Sequence, residues 1–166
     1  MTTSKHLLRH LLAALAYRTQ HALNDAPPDF GGFAAGGDVR TPHEVLHHMN
    51  GLLHLTIVGL RSEPRTRLEP ADSFDAEIER LHELLATLSA LFAAEDTLES
   101  AVVLRLLQGP LADALTHTGQ LALLRRLAGF PVTGENFYRA AIDTENVGRD
   151  QPLTTVVDTR PAPPAA

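Results

Sequence analysis

Asp113 and His117 have the residue types and the spacing of a metal-binding pair. They are four residues apart, so on a helix their Cβ atoms lie about 5–6 Å apart on one face. They also continue the stripe formed by Leu121, Leu124 and Ala128, which predicts that both polar side chains face the core. A carboxylate oxygen and an imidazole nitrogen at this spacing can converge on one divalent ion. The same residues could instead form a salt-linked pair, and their spacing leaves both interpretations open.

The segment 42–61 contains four histidines, which the helical period sorts onto different faces. His48 shares its face with three apolar residues: Val45, Leu52 and Leu55. The remaining histidines recur with Asn50 on a polar face: His43, His47 and His54. Because neighbouring helical residues point about 100° apart, we expect His48 to point inward and His47 to point outward. The i, i+4 pair of His43 and His47 is then an incidental feature of a solvated surface.

Three polar side chains are therefore predicted to interrupt the apolar core: His48, Asp113 and His117. A single inward histidine is typically a core residue that is hydrogen-bonded to a nearby acceptor. Three inward polar groups, two of them at ligand spacing, leave a metal site and a hydrogen-bonded polar cluster equally open, because buried charge is costly unless it is paired or bound to metal. With three protein ligands, a fourth position would remain for water or substrate.

Helices must position these residues, and the sequence predicts five helical segments. Apolar residues recur with a helical period between stretches rich in proline and glycine, over residues 4–24, 42–61, 73–93, 98–107 and 110–128. Thr41, Pro42 and Glu44 form a capping-box pattern before the second segment, and Gly129 ends the fifth. We therefore predict an all-α fold: an antiparallel four-helix bundle with a short extra helix.

The sequence also supports predictions about the first loop and the two ends of the chain. The first loop, residues 25–40, is long enough to be a crossover or a lid. The bundle domain is predicted to span residues 1–142 and an extended tail residues 143–166. Arg9 and His10 interrupt the apolar run near the N-terminus, so this run is predicted to be neither a signal peptide nor a membrane span.

The composition excludes several classes of function. The chain has 166 residues, with 20 acidic side chains, 14 lysine or arginine side chains and a formal charge of −6. This acidic balance argues against nucleic acid or an anionic membrane as the main partner. The lack of cysteine excludes disulfides, thiolate zinc sites and cysteine nucleophiles. Together these features predict a cytoplasmic protein.

The stretch 107–121, LQGPLADALTHTGQL, resembles the fourth helix of the DinB-like (YfiT-like) superfamily. The similarity continues through LRRLAG at 124–129 and GENF at 134–137. Upstream, RTPHEVLHHM at 40–49 is similar to the second-helix segment of that superfamily. The resemblance covers about residues 5–142.

This resemblance implies a four-helix bundle in which a divalent metal is held by one histidine of the second helix and an i, i+4 pair of the last. Carried over residue by residue, the ligands are His48, Asp113 and His117. Much of the superfamily has histidine at the position of Asp113, whereas the mycothiol-dependent maleylpyruvate isomerases, also similar in plan, use a carboxylate there. Ligation by two histidines and a carboxylate suits zinc or nickel, and iron is possible on the ligands alone.

The resemblance also implies a metal-dependent enzyme: a transferase or isomerase that uses a low-molecular-weight thiol, or a hydrolase. A bound ion could activate a thiol as thiolate or lower the pKa of a water molecule. Two other interpretations remain open. One is a non-catalytic bundle that binds metal or a small molecule, and the other is a stress-response protein that acts through a partner.

The segment 110–128 is apolar over most of its circumference, so something besides the bundle core is expected to cover it. The helix over 98–107 and the tail after Ile142 are internal candidates. A second subunit is the other candidate, and we predict a homodimer because two-fold pairing is the commonest assembly. In the same segment, Gln120 is one turn beyond His117 and could hydrogen-bond near the site, but it is expected to be a packing amide. Arg125 and Arg126 could hold an anionic substrate or lie on a solvated face.

Overall fold

The computed structural model describes residues 4–94 and 98–153, and the protein is all-helical over these residues. The α-helices are α1 (Ser4–Leu23), α2 (Pro42–Leu60), α3 (Phe74–Ala94), α4 (Ser100–Leu106) and α5 (Ala112–Leu127). A 3-10 turn spans Phe30–Gly32, and a π turn spans Leu107–Leu111. The five predicted helical segments are confirmed, with ends that differ by at most two residues. Among the described residues, no helix is both long and apolar enough to cross a membrane.

Local sequence signals account for the start of α2 and the end of α5. Thr41 caps α2: its Oγ1 accepts from the Glu44 backbone N–H at 3.3 Å, and the Glu44 carboxylate accepts from the Thr41 N–H at 2.8 Å. Pro42 occupies the first helical position, where its missing N–H has no helical acceptor to lose. Gly129 follows α5 with a φ of +85°, a conformation that glycine adopts freely. The predicted capping box and glycine stop are both confirmed.

Each of the four long helices packs on two others, since α1 and α2 both contact α3 and α5. α1 and α3 are antiparallel, because Arg9 in the first half of α1 reaches Ser89 near the end of α3. α1 and α5 are parallel, because Arg125 near the end of α5 donates to the Ala22 carbonyl near the end of α1. The core of the molecule lies between these helices and is lined mainly by leucine.

α2 and α3 run in the same direction, which corrects the predicted antiparallel arrangement. His43 and Phe74, each in the first turn of its helix, have ring centroids 6.4 Å apart. One turn further along both helices, His47 lies 3.1 Å from Glu77. Two parallel helices need a connection that returns along the full helix length. Segment 61–73 can span about 43 Å when extended, more than the roughly 29 Å length of α2.

The first loop links α1 to α2 across the diagonal of the helix array, so it acts as the predicted crossover. Its 3-10 turn packs on the start of α3, where the rings of Phe30 and Phe74 lie 5.9 Å apart. A side chain at Gly31 would bring its Cβ within 2.6 Å of Phe74. Only glycine therefore fits at this close approach.

α4 continues into α5 through the π turn rather than ending before it. Gly109 has non-helical φ and ψ of −100° and −106°, and Pro110 has no N–H to donate, so the helical path bends here. The short helix predicted over 98–107 is present but is joined to its successor. The π turn also sets where α5 begins, one residue before Asp113.

Residues 143–153, the first part of the predicted tail, pack on α1 and α3. Val147 is buried, and its carbonyl accepts a hydrogen bond from His82 Nδ1 at 2.8 Å. Gln151 is buried and donates to the Ala13 carbonyl at 3.2 Å. These contacts hold the segment over α1 and α3 rather than over α5. The remainder of the predicted tail, 154–166, lies outside the described residues.

Candidate metal centre

The three predicted ligands come from two neighbouring helices. His48 lies in the second turn of α2, and Asp113 and His117 lie in the first two turns of α5. Because α2 packs directly on α5, the fold brings together side chains that are far apart in the sequence.

One ligand atom from each of these residues lies within 4.8 Å of the other two. His48 Nε2 is 3.6 Å from Asp113 Oδ2, and His117 Nε2 is 3.3 Å from Asp113 Oδ1. The two imidazole rings meet edge to face, with centroids 4.6 Å apart. The structure therefore brings all three predicted residues together, and the group could hold a metal ion.

The centre is closed on one side and open on the other. The side chain of His117 is 8% exposed, that of His48 is 34% exposed and that of Asp113 is 46% exposed. An ion held here would have a buried imidazole behind it and solvent on the carboxylate side. Catalytic metal sites keep such an accessible position, whereas structural sites are enclosed by protein ligands.

Gln120 orients the buried histidine. The Nδ1 atom of His117 lies 2.7 Å from Gln120 Oε1. An amide oxygen only accepts hydrogen bonds, so this contact needs the proton on Nδ1 and leaves Nε2 as the nitrogen that could bind an ion. Nε2 is also the atom that faces Asp113. Gln120, which was expected to be a packing amide, therefore directs the ligating nitrogen of His117 into the centre.

The electrostatic surroundings keep His48 in the form that binds metal. Burial lowers the pKa of His48 below its usual value, and the nearby His117 and Arg40 lower it further, while Asp113 opposes the shift. A neutral imidazole has a lone pair available for coordination. Two imidazoles and one carboxylate form a donor set that fits a divalent ion of borderline softness.

His47 does not point to solvent, which corrects the expected sorting of the α2 histidines. Its side chain is 23% exposed, less than that of His48. Asn50, on the same face, is fully buried. This polar face packs on α3 because Glu77 supplies the acceptor that it needs. Glu77 continues the apolar stripe of α3, since it lies four and eight residues before Leu81 and Leu85, so the helical period was the signal that could have marked it as buried.

Glu77 is the centre of a second polar cluster, which is closed. Its Oε1 accepts from the Ala71 backbone N–H at 2.7 Å and from His47 at 3.1 Å, while its Oε2 accepts from Asn50 at 2.5 Å. Burial raises the pKa of the Glu77 carboxyl, but these hydrogen bonds and the charge of Arg80 outweigh it and hold the pKa below its usual value. Both carboxylate oxygens are engaged, so this cluster ties α2 to α3.

Arg125 has a structural role, which corrects its assignment as a candidate substrate ligand. Its side chain is buried, and its guanidinium donates to the carbonyl oxygens of Ala22, Asn24 and Phe130 at 2.8–3.2 Å. These bonds satisfy carbonyl groups at the ends of α1 and α5. Arg126 is exposed.

A buried carboxylate that the residue patterns did not identify joins α1 to the segment after α5. The side chain of Glu135 is 3% exposed, accepts a hydrogen bond from the Tyr17 hydroxyl at 2.5 Å and lies 3.3 Å from His21 Nε2. Next to it, the Arg18 guanidinium lies 4.1 Å from the centre of the Phe137 ring. Glu135 and Phe137 belong to the GENF stretch, so the family resemblance was the signal that pointed to this region.

No protein-family model matches this chain, and no match was found among curated proteins or among solved structures. The family resemblance therefore depends on the sequence motifs alone, whereas the geometry of the centre is independent of it.

Proposed function

We propose that this protein is a divalent-metal-dependent enzyme of the DinB-like type, built as a four-helix bundle. The observation that carries the proposal is the convergence of His48, Asp113 and His117. The packing of each long helix on two others supports the bundle architecture. The resemblance of the stretches 40–49 and 107–121 supports the family.

Zinc or nickel is the metal that the donor set favours, and iron fits the same ligands. When bound, the ion would supply Lewis-acid activation of a thiol or of water. The carboxylate of Asp113 lowers the net charge of the centre relative to three neutral histidines, so the proposed ion is a milder Lewis acid. A thiol-dependent transferase or isomerase, or a hydrolase, is consistent with this chemistry.

The residues of the proposed centre differ in how firmly they are held and in how exposed they are. His117 is buried and held by Gln120, which makes it the fixed ligand. Asp113 is half-exposed, and within the described part of the chain it pairs only with the two histidines. A substrate can therefore approach from the carboxylate side. This accessibility favours turnover over a non-catalytic role in which the ligands would be enclosed.

Metal analysis of protein purified without an affinity tag tests the proposal. We expect near-stoichiometric zinc or nickel in the wild type and loss of that metal in His117→Ala. The matched control is His54→Ala, since His54 is on α2 but bonds to Thr66, away from the centre. Wild-type protein without bound metal after exposure to zinc and nickel, or equal metal in wild type and His117→Ala, would refute the proposal.

We also propose that the protein is a homodimer that pairs through the outer face of α5. Leu111 is fully buried within the chain, so it needs no further cover. Leu123 and Leu127, one helical turn apart, remain 53% and 58% exposed, and Phe130 beyond them is 52% exposed. Sedimentation of the wild type is expected to give twice the chain mass of 18.0 kDa. Leu123→Glu is expected to give the monomer mass, and a monomeric wild type would contradict the dimer.

A further inference from the structure

A groove adjoins the open side of the candidate metal centre. It has a volume of about 630 Å³ and lies between α2, segment 61–73, the π turn and α5. Asp113 and Thr116 line it, so the groove reaches a proposed metal ligand directly. Its volume is within the range of roughly 300–1,000 Å³ that is typical of small-molecule sites.

Apolar residues make up half of the groove lining. Leu52 and Leu55 contribute from α2, and Pro110 and Ala112 contribute from the π turn and the start of α5. Leu55 is 42% exposed, although leucine is usually covered in a folded chain. An apolar ligand body would bury this exposed surface.

Arg65 is the one cationic side chain among the described residues that line the groove. Within the described part of the chain, Arg65 takes part in no hydrogen bond or ion pair. Its guanidinium is therefore available in a protein whose formal charge is −6. A guanidinium can hold a carboxylate or phosphate through two parallel hydrogen bonds. Gln108 adds an amide donor to the same groove.

Arg65 and the candidate metal centre lie next to different turns of α2. Thr66, the neighbour of Arg65, lies 3.1 Å from His54. His54 follows His48 by six residues, which is about 9 Å along a helix axis. The groove therefore joins a cationic end to a metal-binding end, with the apolar wall alongside.

The two ends would select the orientation of a bound molecule. In the metal-free centre the carboxylate of Asp113 repels a second negative charge at that end of the groove, whereas Arg65 attracts one. An anionic group therefore belongs at the Arg65 end, and the uncharged part of the same molecule extends toward His48 and His117.

From these features we infer that the groove binds a small organic anion with an apolar body, either a carboxylate or a phosphate monoester. Its charged group pairs with Arg65, its apolar body lies on Leu55 and its uncharged end reaches the centre formed by His48, Asp113 and His117. The identification of this anion as the substrate rests on the proposed metal-dependent function. The binding of the anion to the groove does not rest on that function.

NMR titration of the 15N-labelled full chain tests the inference with three probes: phenylbutyrate, phenyl phosphate and phenylbutanol. We expect one or both anions to shift the signals of the Gly109 amide and the Gln108 side chain, and the uncharged alcohol to bind about tenfold more weakly. The stronger of the two anions identifies the charged group as carboxylate or phosphate.

Arg65→Ala should weaken binding of the anions about tenfold and leave binding of the alcohol unchanged. Arg67→Ala is the matched control, since Arg67 belongs to the same segment but does not line the groove. Thermal melting of both variants is expected to match the wild type. Equal binding of anion and alcohol, equal binding by wild type and Arg65→Ala, or no shifts at millimolar probe would overturn the inference.

Metal content measured on the same samples separates this inference from the proposed function. Anion binding that depends on Arg65, in protein that takes up no zinc or nickel, would support the groove and refute the metal-dependent function. Stoichiometric metal without anion binding would support the function and overturn the groove.

Discussion

Two histidine–carboxylate clusters lie on two sides of α2. On the α3 side, Glu77 is fully buried and both of its carboxylate oxygens accept hydrogen bonds. On the α5 side, Asp113 is 46% exposed, and its distances to His48 and His117 are longer, at 3.6 and 3.3 Å. The carboxylate of Glu77 is therefore buried and engaged, whereas that of Asp113 is half-exposed and more loosely paired.

This contrast has a physical basis in hydrogen-bond satisfaction. A buried carboxylate that already accepts several hydrogen bonds has no free lone pairs with which to bind an ion, and its donors would lose their partner if it did. A half-exposed carboxylate between two imidazole nitrogens keeps its lone pairs available. We therefore interpret the Glu77 cluster as a structural link and the Asp113 cluster as a binding site.

The largest expected effect is a loss of stability when the closed cluster around Glu77 is broken. Glu77→Ala should lower the free energy of unfolding by about 3–5 kcal/mol, because it leaves buried donors without an acceptor. Denaturant unfolding without metal measures this loss. Glu83→Ala, an exposed position on the same helix, is the control and should change stability little. A loss for Glu77→Ala no larger than that of the control would contradict a structural role.

The next effect distinguishes the clusters by their response to metal. His117→Ala should remove the stabilisation that bound metal provides, about 2.7 kcal/mol at a metal concentration one hundred times the dissociation constant. His47→Ala should destabilise the protein equally with and without metal, since His47 bonds to Glu77. Melting curves of both variants, with and without zinc, check this. A metal-dependent loss in His47→Ala would show that the two clusters are not separate.

A smaller effect concerns the residue that orients His117. Gln120→Ala should weaken metal affinity about 10–100-fold, as is typical when the partner of a ligating histidine is removed. Gln120→Glu should retain most of the affinity, because it keeps an acceptor for Nδ1–H. Competition with a chromophoric chelator measures both affinities. If Gln120→Ala binds metal as tightly as the wild type, the hydrogen bond at 2.7 Å does not position the ligand.

The smallest expected effect is the pH dependence of the closed cluster. The pKa of Glu77 is held below its ordinary value of 4.5, so the unfolded chain binds this proton more readily than the folded chain. The stability from this group is complete above pH 4.5 and is lost as the pH falls through the lower, folded-state pKa. Melting temperatures of metal-free protein below pH 4.5 should therefore fall more steeply for the wild type than for Glu77→Gln. If the melting temperatures of the wild type and Glu77→Gln fall with the same slope, Glu77 makes no such contribution to stability.

The sequence by itself determined the helices and the spacing of Asp113 and His117 in the candidate metal centre. Helical periods, the capping box at Thr41 and the stop at Gly129 act over a few residues, so they can be identified without tertiary contacts. The i, i+4 spacing of Asp113 and His117 is equally local. The helical period placed His48 on the face of Val45, but it did not predict that the His48 side chain is 34% exposed and that of His47 only 23%.

Only the tertiary structure decided which helix covers each face of α2. Periodicity identifies the residues that share a face, but it does not identify the element that packs there, because that depends on the path of the connecting loops. The parallel pairing of α2 with α3 brings Glu77 to His47 and turns an expected surface into a buried contact. The same packing leaves Asp113 open to a groove that ends at Arg65. Segment 61–73 lines this groove because the chain returns along α2 before α3 begins.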